Sequence, residues 1–119
     1  MIDATYHESL LALYRNPLNK GVLTKYDDML RSDNPACGDH LVFYVVWKNG
    51  KISDIKWDGD GCALSVASAS LFSEQIKGKS LTEIKKIKHG KLLKLLHIDK
   101  LTAGREKCVD LPIGSFENK

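Results

Sequence analysis

Apolar and polar positions change their spacing several times along this chain, and each change marks a new segment. Residues 3–15 place Leu10, Leu11, Leu13 and Tyr14 in a helical pattern. This helix should stop at Asn16-Pro17, because Pro17 disfavours helix in the residue before it. Gly21 marks a turn, and residues 22–31 fit strand and helix equally. Residues 41–47 are rich in β-branched and aromatic side chains, and Lys48-Asn49-Gly50-Lys51 follows them. Asn-Gly favours the tight turn whose twist matches paired strands, so residues 52–57 become the return strand of a hairpin. Asp58-Gly59-Asp60-Gly61 closes it.

A helix should begin near Cys62. Residues 63–72 alternate small and apolar side chains with serines at 65, 68 and 70, a composition that packs close to a sheet, and Gly78 suits its C-terminal cap. Ser80-Leu81-Thr82-Glu83 is a capping-box pattern opening a helix with Leu81, Ile84 and Ile87 on one face, which His89-Gly90 should end. Residues 91–98 predict a short helix. Residues 105–111 predict another, kept short by Pro112 and Gly114.

With 119 residues, 43% of them apolar, the chain can form one domain over 1–119 with its own core. The longest apolar run, 41–47, is too short to span a bilayer. Residues 1–10 carry Asp3, His7 and Glu8 and lack the apolar core of a signal peptide. The expectation is a cytoplasmic protein with no membrane partner. Charge is uneven: residues 77–107 set ten Lys/Arg against Glu83, Asp99 and Glu106. Such a zone suits an acidic protein surface or a solvated helix face. No aromatic residues interleave with the lysines, which argues against nucleic acid.

Three cysteines with no secretion signal should be reduced thiols: core residues, ligands or nucleophiles. Cys37 stands in Asn34-Pro35-Ala36-Cys37-Gly38-Asp39, just before the first hairpin strand, and Asp39 could share a metal with it. Cys62 stands just after the second strand. An antiparallel hairpin sets the start of one strand beside the end of the other, so Cys37, Asp39 and Cys62 should be neighbours. Cys62 also lies at a helix N-terminus, where the dipole favours a thiolate. Spacing alone cannot dock Cys108 onto this group. If it docks, the set is three sulfurs and one carboxylate, suited to tetrahedral zinc, and three thiolates also suit an iron–sulfur cluster. His40 is read as structural. Trp47 and Trp57, flanking the turn, are read as packing residues.

The motifs Tyr14-Arg15-Asn16-Pro17-Leu18-Asn19-Lys20-Gly21, Asn34 to Asp39, Asp58-Gly59-Asp60-Gly61-Cys62-Ala63-Leu64-Ser65-Val66-Ala67-Ser68-Ala69-Ser70 and Arg105-Glu106-Lys107-Cys108-Val109-Asp110-Leu111 occur in this order. The chain resembles the U-type iron–sulfur assembly family, comprising IscU, SufU and the N-terminal domain of NifU. The resemblance implies an α+β fold of the SufE/IscU type, a three-stranded antiparallel sheet packed by helices. It implies a site of Cys37, Asp39, Cys62 and Cys108 holding Zn2+ or, alternatively, iron as a [2Fe–2S] cluster. It implies a cysteine desulfurase of the SufS or IscS type as partner, and apo iron–sulfur acceptor proteins.

Lys107 stands where the IscU branch has a histidine, and the Leu-Pro-Pro-Val-Lys motif of that branch is replaced by Ile98-Asp99-Lys100-Leu101-Thr102. The Arg-x-Lys-Cys pattern and the Ala-Ser-Ala-Ser run look more like SufU, although the SufU insertion before the third cysteine and its long last helix are missing. By this resemblance the chain is a zinc-dependent sulfurtransferase in which Cys37 is the nucleophile and Arg105 steadies the released sulfur. The alternative is a scaffold that assembles and transfers a [2Fe–2S] cluster.

Overall fold

The Asn-Gly turn sets the sheet. Asn49 and Gly50 both adopt positive φ, 55° and 76°, as a tight hairpin turn requires, and Lys48 pairs with Lys51 across it. The computed structural model describes residues 4–34, 38–96 and 103–117. In chain order these form α1 (Ala4–Arg15), β1 (Asp28–Asn34), β2 (Asp39–Lys48), β3 (Lys51–Asp60), α2 (Ala63–Ile76), α3 (Leu81–Lys85), α4 (His89–Leu95) and α5 (Ala103–Glu117). The strands make one antiparallel sheet in the order β1-β2-β3. The architecture is the expected α+β arrangement of a three-stranded antiparallel sheet packed by helices.

Alternation points Leu41, Phe43 and Val45 of β2 into the core. On β3 the buried positions are Ile52, Ile55 and Trp57, whose spacing breaks strict alternation. A register shift next to Val46/Trp47 accounts for this, since Val46 faces Asp54 while Trp47 faces Ile52. Against this face lies α2, whose buried small residues Ala67, Ser68, Ala69 and Ser70 allow close approach. Ser68 Oγ donates to the Val109 carbonyl at 2.7 Å and clamps α5 to α2. Phe43, Phe72 and Phe116 meet in an aromatic cluster with centroids 5.6–6.0 Å apart.

The sequence 16–21 folds back along β3. Asn19 takes a positive φ of 61° and its amide donates to Ser73 Oγ and Glu74 Oε1. The Trp57 amide bonds the Asn19 carbonyl and the Gly21 amide bonds the Trp57 carbonyl. The Trp57 indole donates to the Leu18 carbonyl at 2.8 Å. Trp57 is thus core, as read. Trp47 is half-buried, with its indole on Asp28 Oδ2.

One open reading is decided and two expectations need correction. Residues 22–31 hold neither a full helix nor a full strand: β1 begins only at Asp28. His89-Gly90 does not end a helix; α3 stops at Lys85, and His89 opens α4. Pro112 and Gly114 do not stop the last helix, for α5 runs through both. Pro112 forfeits one hydrogen bond, a cost of about 3 kcal/mol in a helix interior. Val109, Leu111 and Phe116 are buried on the same helix, and burial at about 1.5–3 kcal/mol each outweighs that cost. Gly114 serves close packing, since a Cβ there would lie 3.0 Å from Ser32 Oγ on β1.

Candidate metal centre

The two ends of the hairpin converge as the turn demands. Asn34 faces Asp39 across the β1–β2 ladder, and His40 faces Asp60 across β2–β3. Asp39 is the first residue of β2 and is 5% exposed. Gly59 makes the crossing tight: its φ is +139°, and a Cβ there would overlap the His40 carbonyl oxygen. From Asp60 the chain turns through Gly61 into α2, with Cys62 as its N-cap in extended conformation.

Cys108 arrives from α5. It is 4% exposed, and its Sγ lies 3.7 Å from Asp39 Oδ2. The possible ligand atoms of Asp39, Cys62 and Cys108 all fall within 4.8 Å of one another. Cys62 is exposed, so the group opens to solvent on that side. A tetrahedral zinc ion sets its ligand atoms roughly 3.3–3.8 Å apart, given bonds of about 2.0–2.3 Å. Two sulfurs and a carboxylate at this spacing suit such an ion with small side-chain adjustments. The same donors suit iron, so chemistry alone does not choose the metal.

Burial favours the protonated form of Cys108. The Cys108 thiol is pushed up to about 12, first by burial and next by the neighbouring Cys62. An ion bound here must therefore displace a tightly held proton.

Of the residues read from sequence, the structure brings Asp39, Cys62 and Cys108 together. Cys37 lies outside the described residues. Arg105 stands on α5 one turn before Cys108, its side chain also undescribed. Lys107 is exposed and lines a groove of about 360 Å³ between β1 and α5. His40 is exposed and lies 3.9 Å from Asp60, at the rim of the group.

In the sequence Ser65 is one of several small helix residues. It is fully buried, donates to Asp39 Oδ2 at 2.7 Å and lies 3.5 Å from Cys62 Sγ. Its place one helical turn after Cys62 was the available signal.

The sequence profile of the NifU-like N-terminal domain matches residues 5–115. The chain belongs to this family. It is 40% identical over 99 residues to the iron–sulfur cluster assembly enzyme IscU of Drosophila melanogaster, a match over 80% of this chain and 64% of that protein. It is 36% identical over 80 residues to the zinc-dependent sulfurtransferase SufU of Bacillus subtilis, covering 67% of this chain and 54% of that protein. The matched segment thus spans half to two thirds of those two relatives' length. A crystal structure described as an iron–sulfur cluster assembly scaffold protein for the SUF system, from Fervidobacterium islandicum, superposes with a TM-score of 0.81 at 25% identity. That match covers 96% of this chain and 95% of the other. The N-terminal part of a NifU-like protein from Brucella abortus shares the fold, with a TM-score of 0.74 at 18% identity over 98% and 92% of the two chains.

Proposed function

We propose that this family member serves iron–sulfur cluster biogenesis by accepting persulfide sulfur from a cysteine desulfurase, with zinc held by Cys37, Asp39, Cys62 and Cys108. The supporting observation is the convergence of Asp39, Cys62 and Cys108 from three separate elements within 4.8 Å. Zinc, when bound, would keep the thiols deprotonated at neutral pH. The Cys37 thiolate attacks the outer sulfur of the desulfurase persulfide. The old sulfur–sulfur bond breaks, a new one forms on Cys37, and the desulfurase cysteine leaves as a thiolate. Arg105 stabilises the persulfide anion on Cys37, and apo iron–sulfur proteins lie downstream. The working compartment is the cytoplasm, where thiols stay reduced. No described helix is long and apolar enough to cross a membrane.

The second reading is a scaffold that carries a [2Fe–2S] cluster as cargo on the same thiols. It is favoured by similarity to IscU at 40% identity, beside 36% to SufU.

The test measures zinc content and desulfurase stimulation on one untagged preparation made without added metal. About one zinc per chain, with persulfide transfer lost on chelation and in Cys37→Ala, is the expected result. Little zinc, no stimulation, and a cluster rebuilt anaerobically and passed to an apo-ferredoxin would replace this reading with the scaffold. Transfer retained in Cys37→Ala would remove Cys37 as nucleophile.

A further inference from the structure

The buried serines of α2 divide by what their hydroxyls meet. Ser73 donates to the Ser70 carbonyl within its own helix, the usual habit of a helical serine. Ser68 donates to the Val109 carbonyl. Ser65 instead donates to a side-chain carboxylate on another element, Asp39 Oδ2 at 2.7 Å.

The surroundings keep that contact open. A Cβ at Gly61 would fall 2.9 Å from Ser65 Cβ and 3.3 Å from Asp39 Cγ, so a larger residue at 61 would push the pair apart. The Ser65 side chain is fully buried, so water does not compete for its hydrogen.

Oδ2 of Asp39 accepts from the Ser65 hydroxyl at 2.7 Å and lies 3.7 Å from the Cys108 thiol. The Ser65 hydroxyl has one hydrogen to give, and its 2.7 Å contact with Oδ2 is shorter than its 3.5 Å approach to Cys62 Sγ. That bond fixes the orientation of the carboxylate beside the two sulfurs.

We propose that Ser65 is a positioning residue that fixes the Asp39 carboxylate in the orientation in which it ligates the metal. This rests on the metal-binding reading of Asp39, Cys62 and Cys108. Partners of this kind that orient a ligand typically alter metal affinity 10–100-fold when removed.

The test uses Co2+ as the probe on the full chain. The wild type should show a sulfur-to-cobalt charge-transfer band and the strong visible bands of a tetrahedral ion. Ser65→Ala should keep the charge-transfer band, lose about half or more of the visible intensity, and bind zinc about 10–100-fold more weakly by chelator competition. In an Asp39→Ala background, Ser65→Ala should change neither the spectrum nor the affinity further, because the hydroxyl acts through that carboxylate. Circular dichroism of each metal-free sample establishes the fold, and if Ser65→Ala is destabilised the comparison is made in a stabilising osmolyte that restores its fold. A Ser65→Ala spectrum and affinity equal to wild type, or an undiminished effect in the Asp39→Ala background, overturns the role of Ser65 alone. A wild-type chain that gives no sulfur-to-cobalt band overturns the metal reading beneath it.

Discussion

The two ends of α2 make opposite use of burial. At its C-terminal half, Phe72 meets Phe43 and Phe116, and Ile76 is fully enclosed. The polar side chains of Ser73 and Glu74 in that half are met by the Asn19 amide. At its N-terminus, Asp39, Ser65 and Cys108 are equally enclosed, yet they are polar or ionisable and converge on the exposed Cys62. One end gains free energy by excluding water. The other bears the cost of desolvating groups that would serve an ion. A single helix thus joins a stabilising pole to a chemical one, and substitutions at the two poles should separate stability from metal binding.

The largest effect on stability is expected at the aromatic pole. Phe72→Ala should cost about 3–5 kcal/mol in urea unfolding, while the folded fraction keeps its metal stoichiometry. Loss of metal in folded Phe72→Ala protein would break the separation. Gly59→Ala comes next, since the new Cβ meets the His40 carbonyl at an unfavourable φ. It should cost roughly 1–3 kcal/mol and weaken metal binding as well, because His40 adjoins Asp39. This is the one position where both poles should respond.

The polar pole should answer to pH. Between pH 6 and 8, zinc affinity should rise at least about tenfold per unit, because Cys108 holds its proton up to about 12. A flat profile by competition titration would remove Cys108 from the ligand set. Metal-free stability should move the other way at high pH. The unfolded thiol ionises near 9.0 whereas the folded one stays protonated to about 12, so stability is full below about 9 and falls as pH climbs towards 12. Smallest is Ser80→Ala, which removes the capping box of α3. It should cost about 1 kcal/mol and leave metal affinity unchanged.

The parts of this arrangement legible in sequence are those fixed by short-range rules. Asn49-Gly50 specifies a turn, the turn specifies a hairpin, and the hairpin places Asp39 near Gly61-Cys62. The capping box at Ser80-Glu83 is equally local. β1 escaped because Asp28, Arg31, Ser32, Asp33 and Asn34 have little strand preference; pairing with β2 supplies the order. The course of α5 is not legible locally, because proline and glycine are local stop signals whereas contacts with β1 and the aromatic cluster decide there. Cys108 could be carried to the site only by resemblance, since its docking depends on a clamp between Ser68 and Val109 that no spacing announces. Ser65 hid among serines of similar size and burial, and only the direction of its hydroxyl sets it apart.

Asp39 and Cys108 stand 69 positions apart in the chain and meet through one shared group. An ion gripped by both, as proposed, would be a removable staple across more than half of the chain. Closing so long a loop takes conformational freedom from the unfolded chain, in the way a disulfide does, but this link would open and close with metal supply. Limited proteolysis should then report loading: protein stripped of metal should be cut faster than protein supplied with zinc.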